Sequence, residues 1–190
     1  MKIKNIFVLV LTAGLLAIVG LACFPLSDLI AEETASSPTQ TVHRSPDFHY
    51  EIAVPNASWK ILPKPNGIID VPNSSVELYS EDKVGYFVVL AEKSGMNLPT
   101  LRQVVLAQGK AQGISNYEIL KDEPITINGV NGNVLFYMQD YQNLKWRYVH
   151  CLFVNKGFIY QLYAYTYSTQ YSPDLEKDFL DIIHSFKFIA

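Results

Sequence analysis

The amino-terminal segment decides how much of this chain can belong to a folded domain. Two lysines, Lys2 and Lys4, precede a run from Ile6 to Leu26 that contains no charged residue. A cationic start followed by an apolar run is typical of an export signal, which is not part of the mature fold. After this segment and a polar linker, about 145 residues are left, the size of one domain with its own core.

Cys23 indicates how the exported chain is held. It lies at the end of the apolar run, directly after Ala22, in a pattern that resembles a bacterial lipoprotein signal, in which cleavage precedes a lipid-bearing cysteine. Such signals usually have leucine three residues before the cysteine, where this chain has Gly20. A run of about 20 apolar residues also suffices for a transmembrane helix. Lipid attachment at Cys23, a retained helix and free secretion therefore stay open, and all three place the remaining chain outside the cytoplasm.

The sequence is predicted to divide into three parts. Residues 1–22 form the signal peptide, residues 23–45 the lipid-attachment cysteine with a flexible tether, and residues 46–190 the folded domain. The tether is inferred from the stretch between Ala31 and Ser45, which is rich in Ser, Thr and Pro and has little to bury.

Charge and cysteine content exclude some classes of protein. Lys2 and Lys4 leave with the signal, whereas no acidic residue does. The mature part therefore keeps 15 − 2 = 13 basic residues beside 18 acidic ones and is mildly acidic. Because it has no basic run, we expect no nucleic-acid partner. Once Cys23 carries a lipid, Cys151 has no partner for an internal disulfide, and its apolar strand indicates a buried side chain.

Alternating and apolar segments between turn residues predict an α+β fold, with a mainly antiparallel β-sheet sandwiched by helices. Asn97 and Ser172 are predicted to cap two helices, each followed by a proline in the first turn. The second helix is followed by a short edge strand. The predicted strands cover residues 48–54, 59–62, 75–79, 85–92, 117–127, 134–139, 144–154, 158–166 and 186–188.

Two turns set the pairing of the later strands. Asn128-Gly129 is a strong signal for a two-residue hairpin. At Asn155-Lys156-Gly157 we expect a three-residue loop, because a two-residue loop would require a positive φ at Lys156.

The expected register gives a candidate contact patch. It places Arg147 on the same sheet face as Gln161, Tyr163 and Tyr165. Tyrosine and arginine are common at protein interfaces, so these four residues are predicted to contact a partner. Ordinary packing of aromatic side chains between strands explains the same pattern and stays open.

The order of elements resembles the PsbP/DcrB-like superfamily. The resemblance is carried by Pro55 before Trp59, the helix Leu98–Gln112, the hairpin at Ile127–Val130, the strand beginning Gly157–Tyr160, and the closing helix that ends at Ile182–Phe188. It covers about residues 46 to 189 and implies an antiparallel sheet between helices (a PsbP-like α/β/α sandwich). Bacterial members of the superfamily are often exported lipoproteins. No common catalytic residues come with it.

Motifs for catalysis or metal binding are missing from the sequence. It has no Gly-x-Ser-x-Gly, no His-Glu-x-x-His and no glycine-rich phosphate loop. Asp47 with His49, and Asp181 with His184, could each supply two metal ligands, but two ligands rarely hold a metal ion against water. We therefore predict that the protein has no cofactor and no dedicated metal site and is not an enzyme. An enzyme that uses His150 or His184 is the least favoured alternative.

These observations predict an exported, lipid-anchored accessory protein of the bacterial cell envelope. It is expected to act without catalysis, by contact with another envelope protein whose identity the sequence does not give. The alternative is a protein that binds a small ligand or a divalent metal ion between its sheet and a helix.

Overall fold

The computed structural model describes residues 41–64, 71–108 and 114–190. The predicted signal peptide and Cys23 lie outside the described residues. The described elements are β1 Val42–Ser45, β2 Tyr50–Ala53, β3 Trp59–Ile61, β4 Ser74–Ser80, β5 Gly85–Lys93, α1 Leu98–Gln108, β6 Ser115–Ile127, β7 Val130–Tyr141, β8 Leu144–Asn155, β9 Phe158–Tyr167, α2 Pro173–Ser185 and β10 Lys187–Phe188. None of the helices described is long and apolar enough to cross a membrane.

Two antiparallel sheets form the fold. The larger sheet has seven strands in the order β3-β4-β5-β9-β8-β7-β6, and the smaller one has three in the order β1-β2-β10. In the large sheet, β5 is joined to β9 by pairing although α1 and three strands separate them in the chain. The α+β fold with a mainly antiparallel sheet is confirmed.

Three hairpins of the large sheet turn through two residues that both have positive φ. These pairs are Asn128-Gly129, Gln142-Asn143 and Lys156-Gly157, with φ between 48° and 80°. Positive φ at both positions matches the right-handed twist of the flanking strands. The turn at Asn128-Gly129 is confirmed, and the strand predicted over residues 134–139 extends to Tyr141, so that the next turn consists of Gln142 and Asn143 alone.

The predicted three-residue loop at Asn155-Lys156-Gly157 is wrong. Lys156 has a φ of 48°, and Asn155 pairs directly with Phe158. Since the side-chain period of a strand is two, this difference of one residue moves one strand's side chains to the other face relative to its neighbour. All three hairpins have a two-residue turn, whose twist matches that of the flanking strands. This advantage outweighs the cost of a left-handed backbone conformation at Lys156.

Helix α2 and the small sheet cover one face of the large sheet. Leu175, Phe179, Ile182 and Ile183 are fully buried and lie on one side of the helix. They pack against alternate strand residues such as Val149 and against the small sheet. Ser172 caps the helix by accepting a hydrogen bond from the Leu175 amide at 3.2 Å, as predicted.

Helix α1 covers part of the opposite face. Its buried residues Leu101 and Val105 pack with Leu135 and Leu152, which alternate with the strand residues that face α2. Asn97 accepts a hydrogen bond from the Thr100 amide at 2.9 Å, as expected for a cap. The sheet therefore lies between two helices, as predicted.

A buried carboxylate fastens α2 to the edge of the large sheet. Asp178 accepts hydrogen bonds from the Trp59 indole at 2.9 Å and from Lys83 at 2.6 Å, and a longer one from Asn56 at 3.3 Å. A buried charge is tolerated only where it is paired and hydrogen-bonded. Asp178 thus adds a polar anchor to the apolar packing that holds α2.

The amino-terminal side of the domain differs from the sequence prediction. Val42–Ser45, within the predicted tether, is a strand paired with β2. His43 belongs to this strand and lies against Tyr50, with ring centroids 6.0 Å apart. The polar sequence gave no strand signal, and the strand forms by pairing with β2 across the turn at residues 46–49.

Candidate functional site

Five tyrosines form a row that crosses the large sheet on the face that carries α1. Each is the direct cross-strand partner of the next, so the row runs across the strands rather than along one of them. We call this set the tyrosine row. Its members, from β4 to β7, are Tyr79, Tyr86, Tyr165, Tyr148 and Tyr137.

The rings of the tyrosine row stack on one another. Centroids of successive rings lie 5.2, 5.2, 5.5 and 4.7 Å apart, and successive ring planes differ by 30°, 16°, 28° and 8°. Aromatic pairs in such arrangements stabilise by about 0.5–1.5 kcal/mol each beyond the area they bury. Adjacent strands lie about 4.8 Å apart, so the spacing of the rings follows the spacing of the strands.

Solvent reaches the tyrosine row at two of its members. Tyr86, Tyr137 and Tyr165 are buried, whereas Tyr79 and Tyr148 are partly exposed. One end of this face is covered by α1 and the other by Leu62 and Val71. The row is therefore a partly open aromatic surface between two covered regions.

The surface of the row is uncharged. Burial raises the pKa of Tyr79, Tyr86, Tyr148 and Tyr165 above the usual value for a phenol. The Tyr148 hydroxyl accepts a hydrogen bond from the Gln139 amide at 3.1 Å. Neutral hydroxyls beside aromatic faces can contact a partner through area and hydrogen bonds together.

The predicted patch of Arg147, Gln161, Tyr163 and Tyr165 is divided between the two faces of the sheet. Gln161, Tyr163 and Tyr165 lie on the face of the tyrosine row, since their partners across to β8 are Leu152, His150 and Tyr148. Gln161 and Tyr165 are buried, and Tyr163 is partly exposed.

Arg147 lies on the opposite face, because Thr166 is its partner in β9. Its guanidinium carbon is 3.7 Å from the centroid of the Tyr171 ring. Both residues line a groove of about 620 Å³ beside α2, which also contains Glu176, Lys177, Leu180, Asp181 and His184. The one-residue change in hairpin register is the reason that Arg147 is separated from the other three.

Neither Asp–His pair belongs to a larger group of possible metal ligands in the part of the chain described. Asp181 accepts a hydrogen bond from Lys177 at 2.5 Å, so a cation already neutralises it. The His49 ring packs against Phe158, with centroids 5.5 Å apart. Across residues 41–64, 71–108 and 114–190, no group of three or more His, Cys, Asp or Glu side chains could hold a metal ion.

His150 lies directly beside the tyrosine row, in the centre of β8. Its ring stacks on that of Tyr163 at 3.8 Å and lies 6.2 Å from the ring of Tyr137. The side chain is fully buried. The sequence gave His150 as a residue of the sheet but could not give its neighbours, which depend on the register of the hairpin.

Solved structures resemble this domain, although no protein-family model and no curated protein matches the sequence. The solution structure of cyanobacterial PsbP (CyanoP) from Synechocystis sp. PCC 6803 aligns over 87% of this chain and 99% of its own, with a TM-score of 0.58 and 15% sequence identity. The domain has a PsbP-like fold.

Two further structures share the PsbP-like fold. LpqN, involved in cell envelope biogenesis of Mycobacterium tuberculosis, aligns over 81% of this chain and 87% of its own, with a TM-score of 0.55 and 11% identity. A protein from Bacteroides thetaiotaomicron aligns over 80% of this chain and 49% of its own, with a TM-score of 0.55 and 12% identity. At these identities the likeness concerns the fold.

Proposed function

We propose that this chain is an exported, lipid-anchored accessory protein of the bacterial cell envelope, and that it binds another envelope protein without catalysing a reaction. In this proposal Cys23 carries the lipid and the tyrosine row makes the contact. The anchor keeps the domain near the membrane surface, where its partner is found.

The observation that carries the proposal is the partly open tyrosine row. Aromatic surface exposed to water is energetically unfavourable, and such exposure is common at interaction surfaces. Tyrosine is among the residues that contribute most to binding at protein interfaces, since its ring buries a large area and its hydroxyl still finds a partner. Tyr79 and Tyr148 are the members of the row that solvent reaches.

The export part of the proposal is supported by the sequence and by one neighbour. An uncharged run ending at Cys23 follows two lysines. LpqN, which has the same fold, is involved in cell envelope biogenesis. A role in the envelope accounts for both observations.

Co-purification from membrane extracts tests the contact surface. We expect Tyr79→Ala and Tyr148→Ala each to reduce recovery of the partner protein while the thermal melt stays cooperative. Lys177→Ala is the matched control, because Lys177 is exposed on α2 at the opposite face of the sheet. Equal recovery with all three variants would contradict the proposed contact.

Processing in the presence of globomycin, which inhibits the lipoprotein signal peptidase, tests the anchor separately. We expect the inhibitor to leave the wild-type precursor uncleaved and Cys23→Ser to abolish lipid attachment. Unchanged processing in both cases would instead favour a retained helix or free secretion.

A further inference from the structure

His150 occupies a site that suits only a neutral imidazole. Its side chain is fully buried, and neither ring nitrogen has a hydrogen-bond partner. A buried polar atom without a partner costs about 1–3 kcal/mol. Each such group in a folded protein calls for an explanation.

Gln161 is the one polar side chain on β9 that favours a positive charge on His150, and it is already engaged by Tyr163. From β9 the imidazole faces Tyr163 and Gln161, and the oxygen of Gln161 already accepts a hydrogen bond from the Tyr163 hydroxyl at 2.8 Å. From β7 it faces Leu135 and Tyr137.

The remaining elements add no compensating charge. Along β8, Tyr148 and Leu152 lie on the same face as His150, and α1 contributes Leu101 and Val105 to the adjoining apolar cluster. The nearest charge that α1 brings to this face, Arg102, is paired with Asp122 on β6. From β6 the ring of Tyr117 lies 5.2 Å from that of Tyr137, and no carboxylate is hydrogen-bonded to the imidazole in the described residues. Burial lowers the pKa of His150 from 6.5 to about 3, and the side chain of Gln161 opposes this effect.

Tyr163 separates His150 from solvent. The Tyr163 ring stacks on the imidazole and is itself partly exposed. A protonated His150 needs water or acceptors at both nitrogens, and movement of the partly exposed Tyr163 ring would let water reach it. Tyr137, which belongs to the tyrosine row, touches the same imidazole.

We propose that His150 is an acid-sensitive latch of the tyrosine row: the neutral imidazole holds Tyr163 and Tyr137 in place, and its protonation displaces Tyr163 and opens this part of the sheet face. The opening itself needs no partner, whereas its effect on binding rests on the proposed function. Between pH 6.5 and 3, each fall of one pH unit should raise the ratio of open to closed molecules about tenfold, because only the open form takes up the proton.

Nuclear magnetic resonance of the full chain in detergent micelles, with isotope-labelled histidine and tyrosine rings, tests the latch. We expect the Tyr163 and Tyr137 ring signals of the wild type to change as the pH falls from 7 to 4. The same signals should stay constant in His150→Phe and in His150→Gln, which cannot be protonated there. His184→Gln, a change of an exposed histidine on α2, should keep the wild-type response.

Two results would overturn the latch. One is protonation of His150 near pH 6.5 with the Tyr163 signals unchanged. The other is the same pH response in the folded His150 variants as in the wild type. The proposed function is judged by a separate readout, which is crosslinking of a partner to Tyr148 at pH 7. Crosslinking without ring movement would contradict the latch and leave the proposed function standing. Ring movement without crosslinking would contradict the proposed function and leave the latch standing.

Discussion

Lys156 gives a direct test of the hairpin register that assembles the tyrosine row. It lies in the left-handed region, with a φ of 48°, next to Gly157 with a φ of 80°. For a residue with a side chain this conformation costs about 1–2 kcal/mol. Glycine avoids that cost but loses about 0.5–1 kcal/mol through the greater freedom of the unfolded chain. The difference of the central values predicts that Lys156→Gly increases the free energy of unfolding by roughly 0.7 kcal/mol.

The sign of the change in the free energy of unfolding distinguishes the two hairpin registers. In a three-residue loop Lys156 would have a negative φ, and glycine there would cost about 0.5–1 kcal/mol. In that register Tyr148 would no longer pair with Tyr165, and the tyrosine row would not exist. The test thus concerns the site as well as the turn.

Urea denaturation at equilibrium measures the effect. Gln142→Gly is a matched control, since Gln142 has a φ of 51° in the equivalent position of the preceding hairpin and should be stabilised by a similar amount. Lys156→Ala keeps the unfavourable φ and should bring no gain. A lower midpoint for Lys156→Gly, with an unchanged slope, would refute the reasoning.

Three further predictions concern buried positions. Asp178→Asn should destabilise the domain by about 1.5–3 kcal/mol, because it weakens the charged hydrogen bond with Lys83 in a partly buried pair; urea denaturation with a Lys83→Met double-mutant cycle should show coupling, and additive effects would contradict it. His150 is protonated in the unfolded chain below pH 6.5 but in the closed folded form only near pH 3, so the free energy of unfolding the closed form should fall by about 1.6 kcal/mol from pH 6.5 to 5; denaturation curves of His150→Phe should lack this part of the pH dependence, and an unchanged dependence would count against it. Gly132→Ala should cost about 1–3 kcal/mol, since a β-carbon there would lie 2.4 Å from the Phe153 ring and 2.6 Å from the Leu152 carbonyl oxygen; a melting temperature equal to that of the wild type would rule out this clash.

Local signals in the sequence were sufficient for most of the fold. Ser172 and Pro173 mark the start of α2, and Asn128-Gly129 marks a hairpin, because caps and tight turns depend on residues close together in the chain. Strand β1 could not be found in this way. Its residues are polar, and it forms only by pairing with β2.

The candidate site depended on information that the sequence does not carry locally. A difference of one residue at Lys156 separated Arg147 from Gln161, Tyr163 and Tyr165. The tyrosine row draws its members from five strands, so it becomes visible only when the register of every pair is known. The sequence offered only the abundance of tyrosine, with 12 in the chain, and the interpretation of Tyr165 as a contact residue.

Site-specific photocrosslinking in living cells tests the central claim most directly. A photoreactive amino acid is placed at Tyr148 in the tyrosine row, and in a second strain at Lys177 on α2, which faces away from the row. The account predicts a discrete crosslinked envelope protein from Tyr148 and none from Lys177. Crosslinks from Lys177 alone, or the same product from both positions, would contradict the claim that the tyrosine row is the contact surface.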